Sequence, residues 1–490
     1  MWARPISPQR SSLAIGLAIA GLYVSGPGAG AHGSGAERGL VMLLPTGYYL
    51  AGGAFAVAAS FALLAIVPVK DLEQTVALRR ALFRAPKAPQ GSRLVTSAIA
   101  VVFWGVLLLA GVTGSRDPLA NPLPTMFWTV WWVGFPLLHA LFGNLWKWFN
   151  PWHAPLKLIG WMTRGQLGNG SILSLPRALG YAPSIVIFGA FAWFELVSLA
   201  PSDPTRLAEI IALYWCLVLA AMILFGEEPW SATAEPFSIF FTLIAAIAPL
   251  QIETVPSQHG ERRMVCLVWP GRVLIERPGM TISGTLFILL ALASVSFDGL
   301  SRTFLWLDQI GINPLEFPGR SAVTLPNSAG LLGTFALLST VFYASVFVGC
   351  LLAGRPASTI NAAGRLVYSI IPISIGFHAA HYLTNFLLDG QFAVVALSDP
   401  FGRGWDLLHV GSFQPTASFF NNIEDVTLIW NAQALVICVA HVIAIIMAHY
   451  IAVRLFATPR TAMTSQYALA ALMVFYTVFG LWLLSTPTGA

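Results

Sequence analysis

The chain has 490 residues, 57% of them hydrophobic and only 10% charged, with a mean hydropathy of +0.74. Soluble domains carry about 25% charge, and disordered chains combine low hydrophobicity with high net charge. Both classes are excluded, and a polytopic membrane protein is expected. The formal charge of +5 speaks less of an anionic partner than of topology, because Lys and Arg orient membrane spans.

Residues 1–31 read as a secretory signal peptide. Arg4 and Arg10 form its basic start, Leu13 to Val24 a short apolar stretch, and Ala29-Gly30-Ala31 a small-residue cleavage site. Cleavage there leaves His32 as an outward-facing N-terminus, whose amine and imidazole together suit Cu(II). Two plainer readings stand beside it: an ordinary residue in a Gly-rich arm, or an uncleaved first helix.

The polytopic domain, 32–490, follows. Apolar runs of spanning length, about 17–25 residues, occupy 46–68, 94–113, 124–145, 181–200, 206–226, 281–299, 329–353, 365–388, 427–453 and 464–485. The fold class is therefore an all-α transmembrane bundle of about ten spanning helices. The run 237–250 is shorter and is followed by Gln251 and Glu253. It reads as an interfacial or re-entrant segment inside one long cytoplasmic connection, 227–280.

Charge placement supports that count. With ten spans and the mature N-terminus outside, 18 Lys and Arg fall on the cytoplasmic side. Six lie outside: Arg38, Arg116, Arg206, Arg302, Arg320 and Arg403. An eleventh span at 237–250 would invert every later loop and reduce the contrast to 13 against 11. The positive-inside rule favours the first arrangement.

Aromatic residues flank the run 124–145: Phe127, Trp128, Trp131 and Trp132 at one end, and Trp146, Trp148 and Trp152 at the other. They are expected as interfacial anchors, with Asn150-Pro151 ending the helix. The four cysteines show no metal-ligand spacing and imply no disulfide framework.

Ionisable residues inside apolar spans are functional candidates by default. His378, His381 and Asn385 recur at offsets of three and four, which places them on one helix face; Asn431, Gln433 and His441 lie in the next run. At ~1.5 Å per residue, His378 and His381 sit roughly 10–15 Å below the outer surface and His441 roughly 15–20 Å. Asp298 and Glu195 close their own runs at the same outer side. An outer loop, 389–425, adds Asp389, Asp399, Arg403 and Trp405 and suits a lid or collar.

Three histidines with a carboxylate suit a catalytic divalent metal, zinc first and copper second, with one position left for water. His378, His381 and His441 are the candidate metal ligands. Neutral imidazoles hydrogen-bonding between helices are the other reading, and the residues leave both open. His139 with Asn144, and His449, read as structural; His153 and His259 carry no expected role.

Several tracts then resemble a known family: Ser294-Val295-Ser296-Phe297-Asp298-Gly299-Leu300-Ser301-Arg302-Thr303; His381-Tyr382; Ser398-Asp399-Pro400-Phe401-Gly402-Arg403-Gly404-Trp405-Asp406-Leu407; Ser465-Gln466-Tyr467; and Gly480-Leu481-Trp482. With Gly143-Asn144-Leu145-Trp146, Asn150-Pro151-Trp152 and the Ala31-His32-Gly33 junction, they resemble the bacterial integral-membrane proteins labelled fenitrothion hydrolase. The resemblance implies hydrolysis of a small apolar organophosphorus triester with release of a nitrophenol, at a bacterial inner membrane. It carries no catalytic residue set with it. On chemical grounds Asp298 is cast as fourth ligand or base, and Arg302 and Arg403 as partners of the phosphoryl oxygens. No second carboxylate-rich shell is evident for a two-metal site of the soluble phosphotriesterase kind. A membrane transporter and a copper-handling membrane protein are the competing functions.

Overall fold

The computed structural model of the chain describes residues 41–486, apart from 42, 43, 87, 88, 90, 169, 258, 259, 314–318 and 355–357. The expected signal peptide, His32 and His259 lie outside the described residues. What is described is an all-α membrane bundle, 72% helical. Among the described residues, nine helices are long and apolar enough to span a membrane.

The long helices are α1 (Thr46–Leu64), α2 (Ser92–Thr113), α3 (Pro122–Phe142), α5 (Pro204–Phe225), α7 (Ile282–Ser301), α8 (Arg320–Leu352), α9 (Thr359–Ser398), α10 (Ile423–Leu455) and α11 (Pro459–Ser485). Two shorter apolar helices, α4 (Ala182–Leu196) and α6 (Pro236–Ala245), complete the set. α4 lies within the fourth expected run, 181–200. Several starts share one local device, a side chain that caps free N–H groups just before a proline. Asn121 accepts from the Leu123 N–H, Asp203 from the Arg206 N–H, and Glu235 from those of Phe237 and Ser238. The end of α3 departs from expectation: Gly143, at φ 86°, stops it, before Asn150-Pro151 is reached.

Three strands were not foreseen in the sequence. β1 (Arg79–Arg84), β2 (Leu250–Ser257) and β3 (Gly260–Val268) form an antiparallel sheet in the order β1-β3-β2. Their pairing bears on the span count. β1 lies between α1 and α2, and β3 between α6 and α7. The two can share a sheet only if the chain crosses the membrane an even number of times between them. If α4, shorter than the nine long helices, also crosses, α2–α5 supply four crossings and α6 enters and leaves on one side. Nine of its ten residues are buried. The side bearing the strands is called the sheet face below, and the opposite side, which carries the 399–422 connection, the loop face.

α7, α9 and α10 form the centre. Of the most apolar window of α7, 83% is buried, against 17% for α1. α9 and α10 run antiparallel at close range: a Cβ on Gly376 would come within 2.4 Å of the Ala440 Cβ, so only a hydrogen fits there. The Gln433 amide donates to the Ala380 carbonyl at 2.9 Å, and these two contacts fix the register.

Candidate functional site

The site is assembled where α3, α4, α7 and α9 meet toward the loop face. Its centre is Asp298, 2% exposed, on the last turn of α7. His381 of α9 donates through Nε2 to Asp298 Oδ2 at 2.7 Å. Arg302, one turn beyond Asp298, places its guanidinium 3.3 Å from the other carboxylate oxygen, Oδ1. That oxygen is buried and accepts no hydrogen bond. Among the described residues His381 Nδ1 makes no hydrogen bond, and the side chain retains 9% exposure.

A second carboxylate flanks the first. Glu195, near the end of α4, accepts at Oε1 from the Trp132 indole at 2.8 Å and from the Tyr382 hydroxyl at 3.0 Å. Tyr382 also lies within hydrogen-bonding reach of Asp298, so one phenol stands between two acids. Arg320, at the start of α8, donates to the Glu195 and Ser198 carbonyls, each at 3.0 Å. It thereby satisfies the free C-terminal carbonyls of α4. The two acids and two arginines lie together, so buried charge here is paired rather than isolated.

α3 is built around an irregularity that shapes this site. Residues Met126–Gly134 form a π-helix, and the Phe135 N–H reaches back to the Val130 carbonyl. Pro136, four residues past Trp132, has no N–H to offer the Trp132 carbonyl. His378 fills the gap, donating from Nε2 at 3.0 Å. Wide turns of this kind recur at functional sites, and here one aims the Trp132 indole at Glu195.

The candidate residues therefore divide. Asp298, Arg302 and His381 come together as expected. His378 is one turn away and is spent on a backbone carbonyl. His441 donates from Nδ1 to the Ile437 carbonyl of its own helix at 2.9 Å, and its Nε2 is buried without a partner. In the α9–α10 register His441 follows Ala440, which faces Gly376, so it lies about 9 Å along the axis from His381. Among the described residues no three His, Cys, Asp or Glu side chains gather as a metal-binding group. His378, His381 and His441 thus do not fit one shared ion: two of the Nε2 atoms are engaged as donors, and the third belongs to a different level. Arg403 belongs to its own loop, with its guanidinium over Phe401 and Trp405 at 5.8 and 5.7 Å, and makes no contact with Asp298 or His381 among the described residues. Asn385 is exposed and takes no part.

Other expectations change too. Trp132, Trp146 and Trp152, expected at the membrane surface, are buried at 4%, 5% and 3% exposure and serve as packing. His153 is not idle: with Arg93 it holds Glu227 on the sheet face, its Nδ1 2.9 Å from Oε2. His139 is structural as expected, bridging the Phe135 carbonyl and the Trp146 N–H. All four cysteines are free.

Beyond Trp132 lies a cavity of about 230 Å³ among α2–α6. Trp104, Trp131, Trp152, Phe191, Trp215 and Phe237 are among the aromatic residues of its wall, with Leu, Ile, Ala and Pro side chains between them. Phe191 packs edge-on against Trp132 at 4.6 Å, so these two rings stand between cavity and charged cluster. The Trp131 N–H is buried without an acceptor.

Comparison with known proteins adds no name: no family model, curated protein or solved structure matches this chain.

Proposed function

We propose that the protein is an integral-membrane hydrolase of small apolar esters, with organophosphorus triesters of the fenitrothion type as the substrate class. The observation that carries the reading is the buried Asp298–His381 hydrogen bond of 2.7 Å, with no hydrogen bond to the second ring nitrogen among the described residues. A carboxylate on Nε2–H fixes the tautomer, so Nδ1 becomes the proton acceptor and the imidazolium that forms is stabilised. Water adds to phosphorus as its proton passes to Nδ1, the aryl P–O bond breaks, and the nitrophenolate leaves with the electron pair. Such a leaving group needs no strong acid behind it. Arg302, half exposed beside Asp298, suits the developing charge on the phosphoryl oxygen. The aromatic cavity supplies the apolar waiting site, since a triester dissolves in the bilayer. We place the sheet face, rich in Arg and Lys, in the cytoplasm of a bacterial inner membrane and the charged cluster near its outer surface.

This mechanism routes no step through a metal. Purified protein in proteoliposomes is expected to release nitrophenol from fenitrothion or a paraoxon-like triester, equally with and without a chelator. Loss of activity on chelation would return the metal-activated water to the centre of the scheme. A second reading, transport, is favoured by one observation: the re-entrant α6, whose N-terminus is capped by the buried Glu235, resembles the half-helices that line transporter sites. No nitrophenol release, together with solute accumulation in the same liposomes, would establish it instead.

A further inference from the structure

On the sheet face, away from the proposed reaction centre, a second cavity of about 300 Å³ lies between the start of α4, α6 and the segment that leads into α7. Its character is opposite to that of the aromatic one. Arg277, Tyr181, Ser231, Ser238, Thr281 and Tyr368 contribute to its wall, and no carboxylate lines it. Arg277 forms no ion pair among the described residues; the neighbouring acid, Glu276, is committed to Arg272. The Ser231 hydroxyl is buried and makes no hydrogen bond, and buried polar groups normally find a partner.

A second arginine borders the site. The Arg365 Cγ lies 3.0 Å from where a Cβ on Gly279 would stand, and Arg365 and Arg277 are both within electrostatic reach of the Tyr368 hydroxyl. Arg365 has no ion pair among the described residues either. The framework holding the two arginines is tight. The Tyr368 hydroxyl donates to the Pro278 carbonyl at 2.7 Å, the Met280 N–H to that of Gly364 at 2.8 Å, and a Cβ on Gly364 would fall 2.2 Å from the Met280 carbonyl oxygen. Residues 277–281 and 364–368 are thus locked edge to edge, with Arg277 in the cavity wall and the stem of Arg365 against Gly279 of that wall.

We infer that this cavity binds a phosphate group, either the headgroup phosphate of an anionic lipid or a free phosphate. A forked cation in the wall, a second arginine bordering it and several hydroxyl-bearing side chains match a tetrahedral oxyanion with more acceptor positions than a carboxylate has. A basic pocket between helices at the membrane surface suits lipid headgroups in particular. The site is independent of the hydrolase reading and lies on the other side of the bundle.

The test is native mass spectrometry of the full chain, released from micelles containing equal phosphatidylglycerol and phosphatidylcholine, together with thermal melting in inorganic phosphate. The wild type is expected to retain phosphatidylglycerol about tenfold over phosphatidylcholine. The Arg277→Gln/Arg365→Gln variant is expected to fall to parity, and Arg277→Lys/Arg365→Lys, which keeps the charge and controls for folding, to keep most of the preference. If lipid preference is absent but inorganic phosphate raises the melting temperature of the wild type and not of the Gln variant, the ligand is free phosphate and the site stands. Neither effect in the wild type, or a preference that survives in the Gln variant, overturns the inference.

Discussion

On one side of Trp132 lies the charged cluster of Glu195, Asp298, His381, Tyr382, Arg302 and Arg320; on the other, behind Phe191, lies a cavity walled by aromatic and aliphatic side chains. The cluster is made of groups that are costly in a low dielectric, and each is tied to another: acid to imidazole, acid to indole and phenol, arginine to helix carbonyls. The cavity has no such obligations and can admit a molecule without breaking a bond. On the proposed reading an apolar ester would wait there, with two rings, Phe191 and Trp132, between it and Glu195. The π-segment of α3 lies between the two, where Trp132 presents its indole N–H to Glu195 and its ring to Phe191 of the cavity wall.

The largest expected effect on that contrast comes from Asp298→Asn. An amide in this position donates where the carboxylate accepted and reverses the His381 tautomer, so nitrophenol release should fall by about 10³–10⁴-fold while circular dichroism stays unchanged. Retained activity would mean that the pair is structural. A smaller loss follows from Trp132→Phe, which keeps the ring but removes the donor to Glu195. A lost hydrogen bond to a charged group corresponds to roughly a tenfold drop in kcat, with KM little affected. The complementary change is Ala190→Trp, at the wall of the aromatic cavity. Filling that space should raise KM about tenfold and spare kcat; a change in kcat alone would show that substrate does not pass through the cavity.

The smallest effect concerns the outer loop. Asp406 accepts from the Ser398 hydroxyl and from the Val410 and Gly411 N–H groups, which hold its carboxyl below the usual range, the Ser398 bond foremost. The stabilisation is complete above the unfolded value of about 3.9 and fades only as pH falls through the lower folded value. Hydrogen exchange of the Val410 and Gly411 amides, corrected for intrinsic rate, should therefore show equal protection at pH 7 and pH 5. Loss of protection between those two values would contradict the assignment.

Much of this architecture was legible because charge is so scarce in the chain. Lys and Arg placement gave ten crossings and a re-entrant 237–250, and the β1–β3 pairing requires the same parity. Asp298 and His381 stood out because ionisable residues in apolar runs are few. Their partners did not: Tyr382 and Trp132 look like ordinary membrane aromatics until Glu195 is seen between them. The sheet was hidden because β1 and β3 are separated by more than 170 residues, and Arg79–Arg84 shows no alternation of its own. His378 misled for a local reason. Its spacing from His381 suggested a shared ligand, whereas Pro136 had freed a carbonyl on α3 that His378 was needed to satisfy. The proline was visible in the sequence, but the helix it faces was not.

The most direct test compares His381→Ala with His441→Ala, each reconstituted at equal protein and assayed for nitrophenol release from the same triester. The expected result is loss of activity in the first and wild-type activity in the second, since only His381 is joined to Asp298. Equal loss in both would contradict the dyad and point to a shared metal, and full activity in both would remove His381 from the chemistry.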